Sequence, residues 1–249
     1  MKRLSIVLTA VALAVSTPAP RAEAQAPSLD GLELAPAASR RVATKGIDLI
    51  GFGAATDFQA FFRAGGWDSE RDEPTNWSLE RPSGGFAHVR MPSADDSVQI
   101  GHKVGPYDVA PNPILRMKFR IDRVPPGADI SRKNKEDAAF RLFVVFDKKD
   151  GMIVPNTIGY AWTTANEVGS FIRSDRSMLK NVWYVVIGKG EGELGQWQSV
   201  ERDVEADYRR AFKISGPVPR IVAIGMKADT NDTHTQCQAA LAEATLSPR

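Results

Sequence analysis

Cysteine is nearly absent from this sequence, which contains a single one, Cys237, in 249 residues. One cysteine cannot form a disulfide within its own chain, so the hydrophobic core must stabilise the fold. We interpret Cys237 as a small buried apolar side chain rather than a reactive thiol, because no catalytic motif surrounds it. Histidine is almost as scarce, and the three histidines are too scattered to indicate a metal site.

The motifs that mark common enzyme classes are missing too. The sequence has no Gly-x-Ser-x-Gly elbow, His-Glu-x-x-His pair, Cys-x-x-Cys pair, phosphate-binding loop or dinucleotide fingerprint. No catalytic residues are therefore assigned, and the sequence favours a protein that is not an enzyme.

Net charge is also low, at +2 from 32 basic and 30 acidic residues. Residues 1–26 hold three of the basic residues and one of the acidic ones, so the rest of the chain has a net charge of 2 − 2 = 0. A chain without net charge has no broad electrostatic attraction to nucleic acid, and we expect no nucleic-acid partner.

Long apolar runs are confined to the start of the chain. Lys2 and Arg3 precede an apolar stretch from Leu4 to Val15, which is shorter than the roughly 20 residues that span a bilayer. Small residues then form cleavage sites at Ala24 and Ala26. This order predicts a secretory signal peptide over residues 1–26 and a periplasmic or secreted protein that is not membrane-embedded. The alternative is an uncleaved membrane anchor.

After the signal, residues 27–45 are rich in Ala, Pro and Ser and predict a flexible tether. Residues 46–249 suit one domain. Alternating apolar side chains, strictest over residues 114–122, predict strands, whereas residues 140–146 are apolar at nearly every position, which is typical of a central strand covered on both faces. The predicted strands cover residues 86–91, 97–104, 114–122, 140–146, 157–163, 182–188, 220–227 and 239–247.

Residues 200–212 break this pattern, because Val200, Val204, Tyr208 and Phe212 recur at helical spacing. About eight to ten strands with one short surface helix predict an all-β fold, an antiparallel β-sandwich of the jelly-roll, galactose-binding-like kind.

The densest group of polar side chains follows the strand over residues 220–227. Asp229, Thr230, Asn231 and Asp232 place several oxygen atoms close together. Such oxygens bind sugar hydroxyls or Ca²⁺, so we expect a glycan as the partner. We expect no cofactor, and Ca²⁺ is the weaker alternative. The other interpretation is an Asx-type turn that closes a hairpin.

A second candidate group surrounds the central strand. Arg141 is the only charged residue in an otherwise apolar run, and Asp137 precedes it by four positions. A buried guanidinium needs an acidic partner, which Asp137, Glu136 or the Asp229 loop would supply. This group is either a structural ion pair or part of a ligand site.

Aromatic residues form the third candidate group. Tyr160 and Trp162 alternate along one predicted strand and therefore share a face. Exposed rings stack on the apolar faces of sugars, which makes both residues ligand-binding candidates, whereas core packing is their ordinary role.

From about Trp77 to the C-terminus the chain resembles a bacterial family described only as a domain of unknown function, number 3047. The motifs that carry the resemblance are residues 136–142, 158–162, Gly195-x-Trp197, residues 202–204 with Asp207, Tyr208 and Phe212, and residues 229–231. The resemblance implies an exported, β-rich protein without an agreed activity. The family's arrangement is similar to the galactose-binding-like jelly rolls that serve as carbohydrate-binding modules.

Three hypotheses remain open at this point. The first is a module that binds a carbohydrate or cell-envelope glycan without cleaving it. The second is a polysaccharide-cleaving enzyme that uses a carboxylate pair such as Asp137 and Asp229. The third is a non-catalytic structural protein of the cell envelope, in which the candidate residues serve only turns, ion pairs and the core.

Overall fold

A computed structural model of the protein describes residues 46–69, 73–148, 154–177 and 181–249. The predicted signal peptide (1–26) and tether (27–45) lie outside these residues, and both stay predictions. In the described part of the chain, neither helix is long and apolar enough to cross a membrane.

The described residues form thirteen strands and two helices. The helices are α1 (Phe58–Ala64) and α2 (Val204–Phe212). The strands are β1 (Ile47–Asp48), β2 (Asp68–Ser69), β3 (Ser78–Glu80), β4 (His88–Ala94), β5 (Ser97–Tyr107), β6 (Ile114–Arg123), β7 (Ala138–Phe146), β8 (Thr157–Thr163), β9 (Phe171–Arg173), β10 (Val182–Lys189), β11 (Trp197–Asp203), β12 (Ile221–Asp229) and β13 (Gln236–Ser247).

The strands form two sheets that pack face to face. The six-stranded sheet has the order β11-β6-β13-β4-β3, with β1 added on β13, and the seven-stranded sheet has the order β2-β5-β12-β7-β8-β10-β9. This arrangement confirms the predicted β-sandwich. One pair departs from the antiparallel prediction: β8 and β10 are parallel. The chain between them passes through β9, which pairs antiparallel with β10, and so enters β10 in the direction of β8.

The core lies between the two sheets. Alternate residues of β6 point into it and are fully buried, whereas those between them are half-buried or exposed. All nine residues of β7 are buried, as predicted for a strand covered on both faces. The rings of Phe119 on β6 and Phe140 on β7 stack across the core with centroids 4.9 Å apart. Burying one such side chain contributes about 1.5–3 kcal/mol.

The predicted surface helix begins four residues later than its apolar spacing indicates. Residues from Trp197 to Asp203 pair with β6 as strand β11, because a strand at this sheet edge satisfies their backbone groups. Asp203 then caps α2 by accepting a hydrogen bond from the Ala206 amide at 2.9 Å. The second helix, α1, was not predicted. It begins after the capping residue Asp57 and buries three phenylalanines, Phe58, Phe61 and Phe62.

Candidate functional site

The outer face of the seven-stranded sheet, the face turned away from the core, is the candidate binding surface. Its central feature is a row of residues aligned by strand register across the sheet. Gly101 of β5 lies opposite Gly225 of β12, which lies opposite Phe143 of β7. The row continues to Gly159 of β8 and Tyr184 of β10. Three of the five positions are glycine, so the backbone itself forms much of this row.

One half of the outer face is covered. Ile130, from the segment that connects β6 to β7, packs against Phe143, Tyr184 and their neighbours in a small second hydrophobic cluster. A Cβ atom on Gly159 would lie 2.8 Å from the Tyr184 ring and 3.0 Å from the Phe143 ring, so the two rings close over this glycine. The covered half is therefore packed like a core and leaves no room for a ligand.

The other half of the outer face is open and forms a cavity of about 460 Å³, which we call the glycine groove. Gly101 and Gly225 line its floor, with Gly65 and Gly66 after α1 on one side and Thr157 of β8 on the other. Its other lining residues are Asp68, Gln99, His102, Lys103, Phe143, Val145, Ala223 and Ile224. The volume falls in the range of roughly 300–1,000 Å³ that is usual for small-molecule sites.

The glycine groove carries both hydrogen-bond donors and acceptors. Asp68 and Lys103 are exposed side chains of opposite charge, and Gln99 adds an amide that both donates and accepts. Lys103 has no ion-pair partner among the described residues. The Thr157 hydroxyl is buried and has no hydrogen-bond partner in the same part of the chain. These groups lie around an apolar wall formed by Phe143 and its neighbours.

A second cavity, of about 470 Å³, adjoins the first at Gln99, which lines both. Its other walls come from the residues after β2 and from the start of β5, including Glu73, Asn76 and Ser97. Gln99 is the one lining residue that the two cavities share.

The predicted residues Arg141 and Asp229 meet in a buried ion pair beside the groove. An Arg141 guanidinium nitrogen donates to Asp229 Oδ2 at 2.7 Å, and Lys227 Nζ lies 2.7 Å from the same oxygen. Burial by itself raises the pKa of the Asp229 carboxyl, but Lys227 and Arg141 outweigh it and lower that pKa to about 2. Asp229 is therefore a stable carboxylate that holds two strands together.

Glu136 completes this group, which we call the Arg141 cluster: Glu136, Arg141, Tyr184, Lys227 and Asp229. Arg141 also donates to the Glu136 carbonyl oxygen. The Glu136 carboxylate accepts hydrogen bonds from the Tyr184 hydroxyl at 2.8 Å and from Ser174 at 2.9 Å. The cluster fastens the segment that covers the outer face to the sheet beneath it.

Asp137 and the turn after β12 form a separate structural contact. The Asp137 carboxylate accepts hydrogen bonds from the Asp232 amide and from both the amide and the hydroxyl of Thr233, the last two at 2.7 Å. Thr230 is fully buried and bonds to Ser93 at 2.9 Å. The turn is thus held through its own polar atoms, and its residues Asn231, Asp232 and Thr233 are half-buried.

Asp232 forms an ion pair with Arg176. In the described part of the chain, no group of three or more His, Cys, Asp or Glu side chains is arranged to hold a metal ion.

Tyr160 and Trp162 lie on the opposite face of their strand, inside the sandwich. They are 0% and 3% exposed, and both belong to the main core. The Tyr160 hydroxyl donates to Asp207 at 3.1 Å and the Trp162 indole donates to the Gly190 carbonyl oxygen at 3.1 Å, so their polar atoms are also satisfied within the protein. The two rings are therefore core residues and are not exposed for a ligand to stack on.

The sequence analysis did not predict the residues of the glycine groove, although the sequence contains one indication of them. Gly101 and Gly225 each interrupt an otherwise regular strand pattern. Glycine inside a strand often marks a site where a ligand or another backbone approaches closely. What the sequence does not show is that these two glycines are paired neighbours.

No curated protein matches the sequence. Among solved structures, the chain is similar to the xyloglucanase domain of NopAA, a type three effector from Sinorhizobium fredii, in complex with cellobiose. That match has 8% identity and a TM-score of 0.42, and it covers 84% of this chain and 100% of that chain.

The chain is also similar to the family 11 carbohydrate-binding module of the cellulase Lic26A-Cel5E of Clostridium thermocellum. Here the identity is 11% and the TM-score 0.41, over 83% of this chain and 96% of that chain. A carbohydrate-binding module specific for non-crystalline cellulose has 12% identity and a TM-score of 0.41, over 85% and 96% of the two chains. The family model described as "Protein of unknown function (DUF3047)" matches residues 66–245, and the chain belongs to that family.

Proposed function

We propose that the protein binds a glycan in the glycine groove without cleaving it. The observation that carries this proposal is an open groove with a glycine floor, an apolar wall at Phe143 and hydrogen-bonding side chains at Gln99, Lys103 and Asp68. Each sugar hydroxyl both donates and accepts a hydrogen bond, and each sugar ring also has an apolar C–H face. A groove that combines hydrogen-bond donors, hydrogen-bond acceptors and an apolar wall matches that chemistry.

The glycine floor supports the proposal because it lets a ligand approach the sheet backbone. A Cβ atom at Gly225 would lie 3.1 Å from the Ile100 carbonyl oxygen and 3.7 Å from Phe143 Cβ. Any larger side chain at this position would fill the floor of the groove. A second cavity borders the groove at Gln99, which favours an extended oligosaccharide over a single sugar.

Binding without cleavage is favoured by the state of the carboxylates. Hydrolysis of a glycosidic bond needs one carboxyl that is protonated at working pH and a second that is ionised. Asp229 has a pKa lowered to about 2 and is paired with Arg141 and Lys227, so it cannot act as the acid. Asp137 is 0% exposed and accepts three donors from the turn after β12. The predicted pair is therefore used for structure.

We also propose that binding takes place outside the cytoplasm, after cleavage near Ala24 or Ala26. An exported glycan-binding protein would meet cell-envelope or environmental polysaccharides directly. N-terminal sequencing of protein from the periplasmic or culture fraction should begin at residue 25 or 27. An intact N-terminus in the membrane fraction would contradict this part of the proposal.

The binding proposal is tested by titrating the purified protein with neutral and acidic oligosaccharides of about six sugars in a calorimeter. We expect saturable binding to at least one of them, and no reducing ends released during prolonged incubation. Gly225→Ala should weaken this binding at least tenfold, which corresponds to about 1.4 kcal/mol, because the added methyl group occupies the groove floor.

Gly46→Ala is the matched control for backbone strain. A Cβ atom at Gly46 would lie 3.0 Å from a backbone carbonyl oxygen, much like one at Gly225, but Gly46 lies beside the other sheet. Lys103→Met should weaken binding by roughly threefold to tenfold through loss of a charged hydrogen bond, whereas Lys189→Met, outside the groove, should not. Equal affinities of the Gly225 and Gly46 variants would contradict the proposal, and binding to no glycan would favour a purely structural protein.

A further inference from the structure

The six-stranded sheet carries an exposed aromatic group on its own outer face, on the opposite side of the sandwich from the glycine groove. Phe86, just before β4, is 47% exposed, and Val168 is the only other large apolar side chain of the described residues that is exposed. The Phe86 ring packs edge-on against Trp197 of β11, with centroids 5.7 Å apart. We call Phe86, Trp197, Lys118 and Arg120 the aromatic platform.

The platform is held rigidly from beneath by His88. This residue is 2% exposed, and its two ring nitrogens contact the Phe86 carbonyl oxygen at 2.7 Å and Glu80 at 3.2 Å. Its ring also packs edge-on against Trp197, with centroids 5.1 Å apart. A buried side chain thus fixes the backbone that presents Phe86. Surfaces fixed before binding lose little conformational entropy when a ligand arrives.

Arg120 and Lys118 place two positive charges against the rings. The Arg120 guanidinium lies 5.1 Å from the Trp197 centroid and is already paired with Asp122 at 2.7 Å. Lys118 Nζ lies 3.5 Å from the Phe86 centroid. Among the described residues Lys118 has no carboxylate within ion-pair distance, so its charge is available to a ligand.

Acidic side chains on this face would oppose an anionic ligand, but each is held by an ion pair or a hydrogen bond. Asp122 is paired with Arg120 and Glu201 with Arg116, whereas Glu80 is hydrogen-bonded to the His88 ring and Glu243 to the Thr245 hydroxyl. The unpaired charge of the platform is therefore the Lys118 ammonium group, next to an exposed ring.

We propose that the aromatic platform is a second binding surface, and that it takes a hexuronic acid residue of an acidic polysaccharide. The C–H face of the sugar would stack on Phe86 and Trp197, because aromatic faces attract weakly polarised C–H groups and exclude water from them. The sugar carboxylate would pair with the Lys118 ammonium. This surface shares no residue with the glycine groove, and the proposal does not depend on the function proposed for that groove.

The test uses polygalacturonate and alginate as probes, in affinity electrophoresis of the purified protein at low salt. We expect retardation by at least one of them, and much weaker retardation by fully methyl-esterified polygalacturonate, which has the same rings without charge. Phe86→Ala should raise the dissociation constant at least tenfold, and Lys118→Met about fivefold.

Two controls exclude general effects of exposure and charge. Val168→Ala removes the other exposed apolar side chain and should leave the affinity unchanged. Lys189→Met removes a positive charge that belongs to neither the platform nor the groove, and it should also leave the affinity unchanged. Three results would each overturn the proposal: no retardation by either acidic polymer, equal retardation by the acid and its ester, or an unchanged affinity in Phe86→Ala.

Discussion

The buried ion pair between Arg141 and Asp229 allows a prediction about which partner matters more to stability. Arg141 is 1% exposed, and Asp229 is its only carboxylate partner within ion-pair distance among the described residues. Asp229, by contrast, also contacts Lys227 at 2.7 Å. Replacing Asp229 by Asn leaves a buried guanidinium without a carboxylate in contact, whereas replacing Arg141 by Met leaves Asp229 with Lys227. We therefore expect Asp229→Asn to be the more damaging change.

The expected size follows from the cost of leaving one buried charge unpaired, which is about 3–5 kcal/mol. We expect Asp229→Asn to lower the free energy of unfolding by that amount, and Arg141→Met by roughly half as much, since Lys227 still compensates the carboxylate. For a domain of 150–250 residues each kcal/mol shifts Tm by about 2–4 °C, so Asp229→Asn should lower Tm by roughly 6–20 °C.

The assay is urea unfolding at pH 7, followed by tryptophan fluorescence. The matched control is Asp147→Asn, which breaks the exposed pair between Asp147 and Arg220. An exposed pair contributes only about 0–1 kcal/mol, so the control should unfold close to wild type. The reasoning would be refuted if Asp229→Asn cost no more than Asp147→Asn, or if Arg141→Met were the more damaging change.

Three further predictions follow from the core. The pKa of Asp229 is lowered to about 2 from an ordinary 3.8, so its contribution to stability is full above about pH 4 and is lost as the pH falls towards 2. The urea midpoint should therefore fall more steeply between pH 4 and pH 2 in wild type than in Asp229→Asn. Burial raises the pKa of the Cys237 thiol to about 12, so iodoacetamide should label it in urea but not in the folded protein at pH 8; labelling of folded protein would contradict this. A Cβ atom at Gly188 would lie 2.1 Å from the Trp162 ring, whereas one at Gly192 would meet nothing within 4 Å. In thermal unfolding, Gly188→Ala should therefore be destabilised by about 1–3 kcal/mol and Gly192→Ala should be nearly unchanged.

The strands of the core were predictable because their burial pattern is local. The alternation over residues 114–122 and the continuous apolar run at 140–146 correspond to β6 and β7, and their two patterns of burial are the ones expected. The need of Arg141 for an acidic partner was also predictable, although the sequence left three candidates and only the fold selects Asp229. Local pattern therefore determines which segments are strands, and packing determines which side chains meet.

The features that could not be predicted from the sequence depend on contacts between segments that lie far apart along the chain. Every residue of β8 is buried, so alternation alone cannot tell which face of that strand carries Tyr160 and Trp162. The glycine groove arises from the register between β5 and β12, which are more than a hundred positions apart. Residues 200–203 have helical spacing, but pairing with β6 makes them a strand instead, because tertiary contacts override a short amphipathic pattern.

The central claim is that a glycan binds against the paired glycines of the seven-stranded sheet. Nuclear magnetic resonance tests it most directly, by titrating isotope-labelled protein with the oligosaccharide of highest affinity and following backbone amide shifts. We expect the amides of Gly101 and Gly225 to shift and saturate together with the calorimetric binding curve. Saturable binding that leaves both amides unmoved, while signals elsewhere shift, would contradict the claim.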